Sequence, residues 1–576
     1  MHKNFFFVAL LLIIPVSTLF AGDYFIVKII PESGRTQQVI NKLNLDAVNE
    51  GYAGQVEIVA DQADIDRLVQ EGIPFQVVRP LSTRYIPDYQ SYEDVNDLLN
   101  LWHSSYPDIT EIIEIGVSAE MGLPIYGIKI SDNAADREDE TVVWIDGVHH
   151  AREPMGMMSC MVLIEHLLTN YGIDSLSTRM VNELETWIIP ILNPDGYKYF
   201  IESTTYTPWW RKNQRDNNSN GQFDSNYDGV DLNRNYDSDW QNSSSGSTDP
   251  ASWVYRGLAP FSETEVAAKK YWVEYLRPIA AITYHSFGEI IYYKSGINGH
   301  ETSETVLIDA FAQQMAMQIP TLNGSGLGYY NVGRSLWEAP MSYYWMYEKV
   351  GVWEMLVETG VKFVPKIDTA AVVADDNLGG VLFVLEKSME GPGIRGHVYS
   401  TYDSSALDAE VQITEYWNPG MTPRRTDPSF GHFNRFTWPG TFNLTFAAVG
   451  YLPDSTSIAV PSDDWAQVEI YLEPYSLISI DQITVNDDSS GASQGNADGI
   501  PNNGERLEFR FTLTNHGARL SGPVMLELEI DDPYVTLEDS VQFIAPIESD
   551  SSVDDIMAFA VNVAPDCPNQ HQFDVT

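Results

Sequence analysis

A pair of adjacent histidines stands at the end of an apolar stretch in "ETVVWIDGVHHAREPMG", residues 140–156. His150 is followed three residues later by Glu153, whereas the residue three after His149 is Arg152, which cannot bind a cation. On a tight turn or a first helical turn, residues three apart project to the same side. Imidazole nitrogens and carboxylate oxygens are ligands that Zn²⁺ accepts. The spacing indicates His150 and Glu153 as candidate metal ligands, with a surface ion pair as the alternative.

A third ligand is predicted at the end of another apolar run. His285 ends such a run in "IAAITYHSFG", whereas the remaining histidines lie in helical patterns, a glycine-containing loop or later strand-rich segments. His149 faces away from its neighbour on an extended chain and is expected to support the ligands instead. Two histidines and one glutamate leave a coordination position for water, which is the arrangement of a catalytic zinc site. Zinc lowers the pKa of such a water towards ~7.

A general base is needed within hydrogen-bond reach of that water. Glu358 ends the apolar run in "GVWEMLVETG". Glu354 lies an even number of residues earlier and shares the same strand face, but it is in the middle of the strand. We therefore prefer Glu358 and keep Glu354 as the second candidate.

The elements that must position these residues alternate between strands and helices over residues 86–390, which is typical of an α/β fold. In open α/β sheets, sites gather beyond the carboxyl ends of strands. Each candidate residue follows or ends an apolar strand pattern in this way. Residues 23–80 show a β-α-β-α-β pattern without histidine or cysteine, and residues 393–474 and 475–576 read as short alternating strands of two β-sandwiches. The chain stops in what looks like a strand, so we expect a longer protein.

Composition excludes several classes of function. The chain has 81 acidic and 33 basic residues, a net charge of −48, which argues against binding to nucleic acid or anionic membranes. Residues 1–21 have the pattern of a signal peptide, and no later apolar run is long enough for a membrane span. We therefore expect a secreted, extracellular or periplasmic protein. Cys160 and Cys567 lie far apart in sequence and are predicted to be buried and unpaired.

Seven motifs occur in an order that identifies a resemblance. They are "GVHHARE", "NPDGYKY", "WWRKN", "GVDLNRNYD", "YRGLAPFSETE", "ITYHS" and "VETG". Over residues 86–390 the chain resembles the zinc carboxypeptidases of the funnelin type, the carboxypeptidase A/B and T family. The resemblance implies a mixed twisted sheet flanked by helices. It also makes residues 23–80 similar to the family's propeptide, and residues 393–474 similar to a transthyretin-like domain.

The resemblance also implies roles for individual residues. Zn²⁺ would bind to His150, Glu153 and His285, and Glu358 would be the general base. Arg211 in "WWRKN" would stabilise the carbonyl oxyanion, and Asn233 and Arg234 in "DLNRN" would hold the terminal carboxylate of the substrate. A guanidinium can hold a planar carboxylate through two charge-assisted hydrogen bonds, so such a clamp presents only the last peptide bond.

Two features depart from the family pattern. Ser286-Phe287 stands where the family has Ser-Tyr, which removes a hydroxyl from the substrate cleft. The mobile tyrosine upstream of the base has no clear counterpart in "GLGYYNVGRSLWEAPMSYYWMYEKVG", where the candidates are Tyr329, Tyr330, Tyr343 and Tyr344. The preferred C-terminal residue of the substrate is therefore left open.

A calcium site is a further hypothesis. The segment "RDNNSNGQFDSNYDGVD", residues 215–231, alternates oxygen-bearing side chains with glycine, which suits a hard cation. No glutamate stands at the twelfth position, so the segment is not an EF-hand, and a loop rich in Asx turns is the alternative. The same two hypotheses, a calcium site or a loop rich in Asx turns, apply to Asp498 and Glu505.

The sequence thus predicts a secreted zinc metallocarboxypeptidase acting on peptides with a free C-terminus. A cell-wall peptide amidase or endopeptidase of the same fold is one alternative, and an inactive relative that binds peptides or glycans is another. Residues 23–80 are expected to be a removable inhibitory segment, with Arg79 and Arg84 available for cleavage. The C-terminal β domains could attach the enzyme to a surface.

Overall fold

The computed structural model describes residues 24–29, 43, 45–47, 56–60, 62–81, 89–202, 209–322 and 326–575. The predicted signal peptide and Arg84 lie outside these residues. The first described unit is an antiparallel sheet in the order β2-β3-β1-β4 with one described helix. Its elements are β1 (Tyr24–Ile29), β2 (Asp46–Ala47), β3 (Val56–Ala60), α1 (Gln62–Gln70) and β4 (Phe75–Leu81). Its predicted first helix lies largely outside the described residues.

The central unit contains an eight-stranded mixed sheet in the order β13-β10-β14-β9-β7-β8-β6-β5. Its strands, with the two-stranded pair β11–β12, are β5 (Thr110–Val117), β6 (Pro124–Ile130), β7 (Thr141–Gly147), β8 (Leu184–Ile189), β9 (Ala280–His285), β10 (Ile290–Lys294), β11 (Gly296–Ile297), β12 (His300–Glu301), β13 (Asn331–Ser335) and β14 (Trp353–Glu358). The described helices around it are α2 (Tyr92–Ser105), α3 (Pro154–Asn170), α4 (Ser175–Glu183), α5 (Pro194–Glu202), α6 (Thr264–Leu276), α7 (Thr305–Ala316), α8 (Ser342–Trp345) and α9 (Ile367–Glu390). The predicted α/β fold with a mixed sheet flanked by helices is confirmed.

Helices cover both faces of this sheet, which explains why its central strands read as continuous apolar runs. Every residue of β7, β8, β9 and β14 is buried. On one face, Ile145 and Ile282 pack with α3 and α9, and on the other, Trp144 and Ala281 pack with α6. Strands buried on both faces form nearly continuous apolar runs rather than alternating apolar and polar residues.

Three parallel strands bring the predicted site residues to one edge of the sheet. β14, β9 and β7 are neighbours, and all three run in the same direction. In their register Glu358 is the partner of His285, and Tyr284 is the partner of Gly147. The carboxyl ends of β7, β9 and β14 therefore meet, and the turn after Gly147 carries His150 to the same place.

The following residues form β-rich segments. A three-stranded sheet, β18-β15-β21, and a four-stranded sheet, β17-β16-β19-β20, come first, followed by sheets β22-β23-β27-β25 and β24-β26. The strands are β15 (Gly393–Ser400), β16 (Glu410–Ile413), β17 (Arg424–Arg425), β18 (His432–Phe436), β19 (Gly440–Ala447), β20 (Asp454–Val460), β21 (Trp465–Leu472), β22 (Ile478–Asn486), β23 (Arg506–Asn515), β24 (Val524–Glu527), β25 (Val535–Leu537), β26 (Val541–Ile544) and β27 (Ser551–Val563). The exact domain boundaries stay a prediction.

The first of these β-rich segments packs firmly on the central unit. Phe436 contacts Phe311 and Trp353, with ring centroids 5.3 and 5.1 Å away. The guanidinium of Arg424, which is buried, donates to the carbonyl oxygens of Arg277, Pro278 and Gly351 at 2.9, 2.9 and 3.2 Å. Aromatic packing and a buried cation thus join the two units.

The helices and the two cysteines of the described residues answer two questions raised by the sequence. Among the described helices, none is both long enough and apolar enough to cross a lipid bilayer. Cys160 and Cys567 are buried and not bonded to each other.

Candidate metal centre

Three side chains from two distant segments converge beyond the ends of β7 and β9. The Nδ1 atom of His285 lies 2.9 Å from Glu153 Oε2 and 3.1 Å from His150 Nδ1. His150 Nδ1 lies 2.9 Å from Glu153 Oε1. All three residues are buried, and their ligand atoms lie within 4.8 Å of one another. One cation could therefore contact all three side chains at once.

A sharp turn after β7 presents His150 and Glu153 together. Val148 has a left-handed backbone with φ of 59°, and a Cβ atom on Gly147 would lie 2.6 Å from the backbone of Gly156. Only glycine permits this approach of the strand end to α3. The Glu153 N–H donates to the His150 carbonyl at 3.1 Å, so the spacing of three closes one turn, as the sequence predicted.

Asp231 contacts both His150 and Arg211 through its two carboxylate oxygens. Its Oδ1 lies 3.2 Å from His150 Nε2, and its Oδ2 accepts a hydrogen bond of 2.9 Å from Arg211 Nε. Burial alone would raise the pKa of Asp231, but Arg211 and Arg234 hold it well below its usual range. Asp231 thus stays ionised and orients His150 and Arg211, a role that carboxylates commonly play behind metal-binding histidines.

His149 lies behind His285, as expected for a supporting residue. The two rings stack with centroids 5.3 Å apart. His149 Nε2 lies 2.8 Å from the Tyr236 hydroxyl, and Nδ1 lies 3.1 Å from Thr283 Oγ1 and 3.4 Å from Asp146 Oδ1. Both ring nitrogens of His149 therefore have polar neighbours other than the three converging side chains.

The protonation states suit a zinc ligand set. Burial lowers the pKa of His285 to about 3, so its imidazole is neutral at physiological pH. Burial alone would raise the pKa of Glu153, but His150 and His285 lower it below its usual range. Neutral imidazole and ionised carboxylate are the forms that bind Zn²⁺. Two nitrogen donors and one carboxylate fit a catalytic zinc site, as the resemblance implies.

The two candidate bases occupy different depths of β14. Glu358 is the last residue of the strand, is 5% exposed and pairs in register with His285. Glu354 lies four residues deeper, and its Oε1 is 2.6 Å from the ammonium of Lys269. The geometry favours Glu358 as the carboxylate at the site and gives Glu354 an ion-pair partner elsewhere.

The predicted clamp residues follow Asp231 directly. Asn233 and Arg234 lie in a short 3₁₀ turn, Leu232–Arg234, and both are buried. Asn233 Oδ1 accepts the Ser342 N–H at 3.0 Å, and Arg234 Nε donates to the Ser245 carbonyl at 2.7 Å. Arg211 Nη1 lies 4.0 Å from Glu153 Oε1, so its guanidinium reaches one of the three converging side chains.

The departures from the family pattern lie near this site. Phe287 packs on Phe363 with ring centroids 4.9 Å apart, so an apolar contact stands at the position where the family pattern has a tyrosine hydroxyl. Tyr330 and Tyr344 are buried, and their hydroxyls contact the Gly360 N–H and Ser335 Oγ. Neither shows the exposure of a mobile cleft side chain, and that role stays unassigned.

Calcium is not supported at either acidic loop. Asp216 accepts backbone N–H groups of Asn218, Asn220 and Gly221, which is the pattern of Asx turns. Asp231, which the sequence grouped with this loop, belongs to the candidate zinc site. In the later loop, Glu505 likewise accepts backbone N–H groups, and Asp498 accepts from its neighbours.

Comparisons with known proteins point to one family. Residues 95–377 match the sequence model described as zinc carboxypeptidase. Carboxypeptidase B of Helicoverpa zea is 32% identical over 250 residues, 43% of this chain and 56% of that protein. An inactive metallocarboxypeptidase of Schizosaccharomyces pombe is 32% identical over 188 residues, 32% of this chain and 35% of that protein. The chain thus spans less than two thirds of the length of these relatives.

Solved structures share the fold. Carboxypeptidase A from Helicoverpa armigera aligns with a TM-score of 0.54 and 20% identity, covering 64% of this chain and 98% of that one. Thrombin activatable fibrinolysis inhibitor aligns with a TM-score of 0.52 and 22% identity, covering 64% of this chain and 99% of that one. At these identities the likeness concerns the fold alone.

Proposed function

We propose that this chain, whose residues 95–377 belong to the zinc carboxypeptidase family, is a metallocarboxypeptidase that hydrolyses the last peptide bond of peptides with a free C-terminus. The convergence of His150, Glu153 and His285 beside Glu358 is the observation that carries this proposal. The names of its relatives, among them carboxypeptidases B and O, agree with this activity.

A zinc ion at this site would supply Lewis-acid chemistry, because it polarises a carbonyl group and lowers the pKa of water. His150, Glu153 and His285 would hold it. Glu358 is the last residue of β14 and the register partner of His285. It would take the proton from the attacking water and pass it to the leaving amine. This transfer requires an ionised carboxylate before the attack and a protonated one after it.

Two arginines would handle the two negative charges of the reaction. Arg211, fixed by Asp231 and 4.0 Å from Glu153, would stabilise the charge that grows on the carbonyl oxygen. Asn233 and Arg234 would hold the terminal carboxylate of the substrate and so determine which bond is presented. Because the clamp recognises a charge, a peptide whose C-terminus is amidated should bind poorly.

The test measures zinc content and residue release together. Purified protein should contain about one zinc per chain and should release the last residue from peptides with free C-termini. Chelation should abolish this release, and amidated versions of the same peptides should resist. Equal hydrolysis of free and amidated peptides would overturn the exopeptidase assignment. Zinc binding without any release over a broad peptide panel would instead favour the inactive state named for the Schizosaccharomyces pombe relative.

We also propose that the protein is exported and made as a precursor. The support is the signal-like sequence at residues 1–21 and the separate small sheet β2-β3-β1-β4 that precedes the central unit. Activity should rise when a protease removes residues 23–80. Equal activity of the full chain and the shortened chain would argue against an inhibitory role for this segment.

A further inference from the structure

A lysine that the proposed reaction does not use is fully buried in the central unit. Lys269 of α6 is 0% exposed. Its Nζ lies 2.6 Å from Asp146 Oδ2 on β7, 2.6 Å from Glu354 Oε1 on β14 and 2.8 Å from Ser342 Oγ at the start of α8. One ammonium group therefore joins four elements.

Such an arrangement costs stability. Taking an ammonium and two carboxylates out of water carries a penalty of several kcal/mol per ion, and apolar residues of similar size are often as stable or more stable. The neighbours of Lys269 on α6, Val266 and Val273, pack in an apolar cluster. Burial alone would lower the pKa of Lys269, but Asp146 and Glu354 raise it above its ordinary value, so the group stays charged.

The contact between Lys269 and Ser342 connects the ammonium group to the predicted carboxylate clamp. Ser342 accepts from the ammonium through its side chain, and its backbone N–H donates to Asn233 Oδ1 at 3.0 Å. The amide of Asn233 is thereby oriented: its oxygen is occupied, so its NH₂ group is the part left to donate to a carboxylate. The position of Ser342 sets the position of that donor.

The contact with Glu354 connects Lys269 to the strand of the proposed base, Glu358. The contact with Asp146 connects it to the metal-binding residue His285. Glu354 and Glu358 lie four residues apart on the same face of β14, so anchoring Glu354 anchors the strand that carries the proposed base. Asp146 accepts from Thr283 Oγ1 at 2.7 Å and lies 3.4 Å from His149, whose ring stacks on His285.

We propose that Lys269 is a positioning residue that holds the clamp amide of Asn233 in register with the base strand and the metal-binding histidines. The inference rests on the proposed function and deepens it, because it identifies what aligns recognition of the C-terminal carboxylate with the reacting bond. Lys269 contacts neither substrate nor metal in this role. It acts through Ser342, Glu354 and Asp146.

Lys269→Met tests the proposal, with two matched controls. Lys270→Met removes the adjacent lysine, whose side chain is 37% exposed and pairs with Glu274 on the helix surface. Lys129→Met breaks another buried ion pair, with Glu185, whose register partner Val142 lies near the amino end of β7. Lys129→Met measures how much stability is lost when a buried ion pair away from the site is broken.

Two readouts separate positioning from packing. KM for a peptide with a free C-terminus should rise about tenfold or more in Lys269→Met, while zinc content and the release rate from bound substrate change less. Calorimetric binding of an N-acylated amino acid with a free carboxylate should weaken by a similar factor, and this measurement needs no turnover. Lys129→Met should lower the melting temperature without changing either value, and Lys270→Met should change nothing.

A milder variant covers the case in which Lys269→Met does not fold. Ser342→Ala leaves the ammonium with both carboxylates and removes the hydroxyl that links it to the clamp. We expect about a threefold weakening of carboxylate binding with little change in the melting temperature. Unchanged carboxylate binding in Ser342→Ala and in any folded Lys269→Met would overturn the proposal. Failure of the parent chain to release residues would overturn the proposed function alone, since carboxylate binding still tests Lys269.

Discussion

Two groups of three potential metal ligands come together in the described part of the chain, and they differ in almost every physical respect. The first, the histidine group, is His150, Glu153 and His285, and it is buried. The second, the acidic group, is Asp132, Glu138 and Glu140, and it is half-buried. The histidine group combines two imidazole nitrogen donors with one carboxylate. The acidic group combines three carboxyls, which repel one another once ionised.

The neighbours of the two groups differ as well. His150 and Glu153 are flanked by Asp231 and Arg211, which fix orientation and balance charge. In the acidic group, burial and the carboxylates of Glu138 and Asp132 raise the pKa of Glu140 to about 8. The Ser131 hydroxyl lies 3.2 Å from Glu138 Oε2 and 3.3 Å from Glu140 Oε2. Proximity alone therefore does not make a metal site. Donor type and the residues that orient each donor distinguish the two groups.

Removing one nitrogen donor should have the largest effect. We expect His285→Ala to reduce zinc content to near zero after dialysis and residue release to the detection limit, because two remaining ligands bind zinc too weakly. Metal analysis and a release assay check both. Glu140→Gln is the matched control and should retain zinc and activity. Loss of zinc in the control would erase the distinction between the two groups.

Glu358→Gln should separate catalysis from metal binding. The amide keeps the size of the carboxylate but cannot accept a proton, so kcat should fall by about 10²–10⁴. Zinc content should stay at the parent value, because Glu358 is not one of the three converging ligands. Full activity of this variant would transfer the role of base to another residue, with Glu354 as the first to test.

Arg211→Met should lower kcat by about 10²–10³, the typical cost of one lost donor to a developing oxyanion. Arg215→Met provides the comparison, since Arg215 lies four residues later, is about one third exposed and pairs with Glu263. A similar loss in both variants would show a general charge effect rather than a directed one. Steady-state kinetics with one peptide series measures both.

Asp231→Asn should weaken zinc binding by about 10–100-fold, as expected when a carboxylate behind a metal-binding histidine is lost. Competition with a chelator of known affinity measures the change. Binding of zinc at the parent affinity would mean that His150 is oriented well enough by Glu153 and the turn after β7.

The smallest expected effect is a change in the protein's stability with pH, caused by the acidic group. Since Glu140 has a pKa of about 8 in the folded chain and an ordinary value when unfolded, the folded state binds the extra proton between about pH 4.5 and 8. Stability should therefore fall as pH rises through this window. Glu140→Gln should raise the melting temperature at pH 8–9 and leave it nearly unchanged near pH 4.5. An equal shift at both pH values would contradict this assignment.

The parts of the site that lie at strand ends could be predicted from the sequence. Apolar runs ending at Gly147, His285 and Glu358 are strong local signals, and parallel neighbouring strands place their ends together. The order of strands in the sheet could not be derived from periodicity, and it entered through the resemblance. Short strands such as β11, β12 and β13 have little pattern of their own and were not predicted.

The supporting contacts were missed for a different reason. Asp231 was grouped with the acidic loop because its residue type matches its neighbours, although its position two residues before Asn233 was a usable signal. Lys269 lies in a helix pattern where a lysine normally faces solvent, and its partners are 73 to 123 positions away along the chain. Contacts at such separation leave no local trace in residue spacing.

The cation carried by Arg424 has a practical consequence for any attempt to shorten the protein. Three carbonyl groups at the ends of α6 and of the segment before β14 depend on this one guanidinium. A chain ended at Gly391 would leave those oxygens to water and would uncover Phe311 and Trp353. The smallest piece that can be studied in isolation should therefore extend through the strands that follow the central sheet, up to β21.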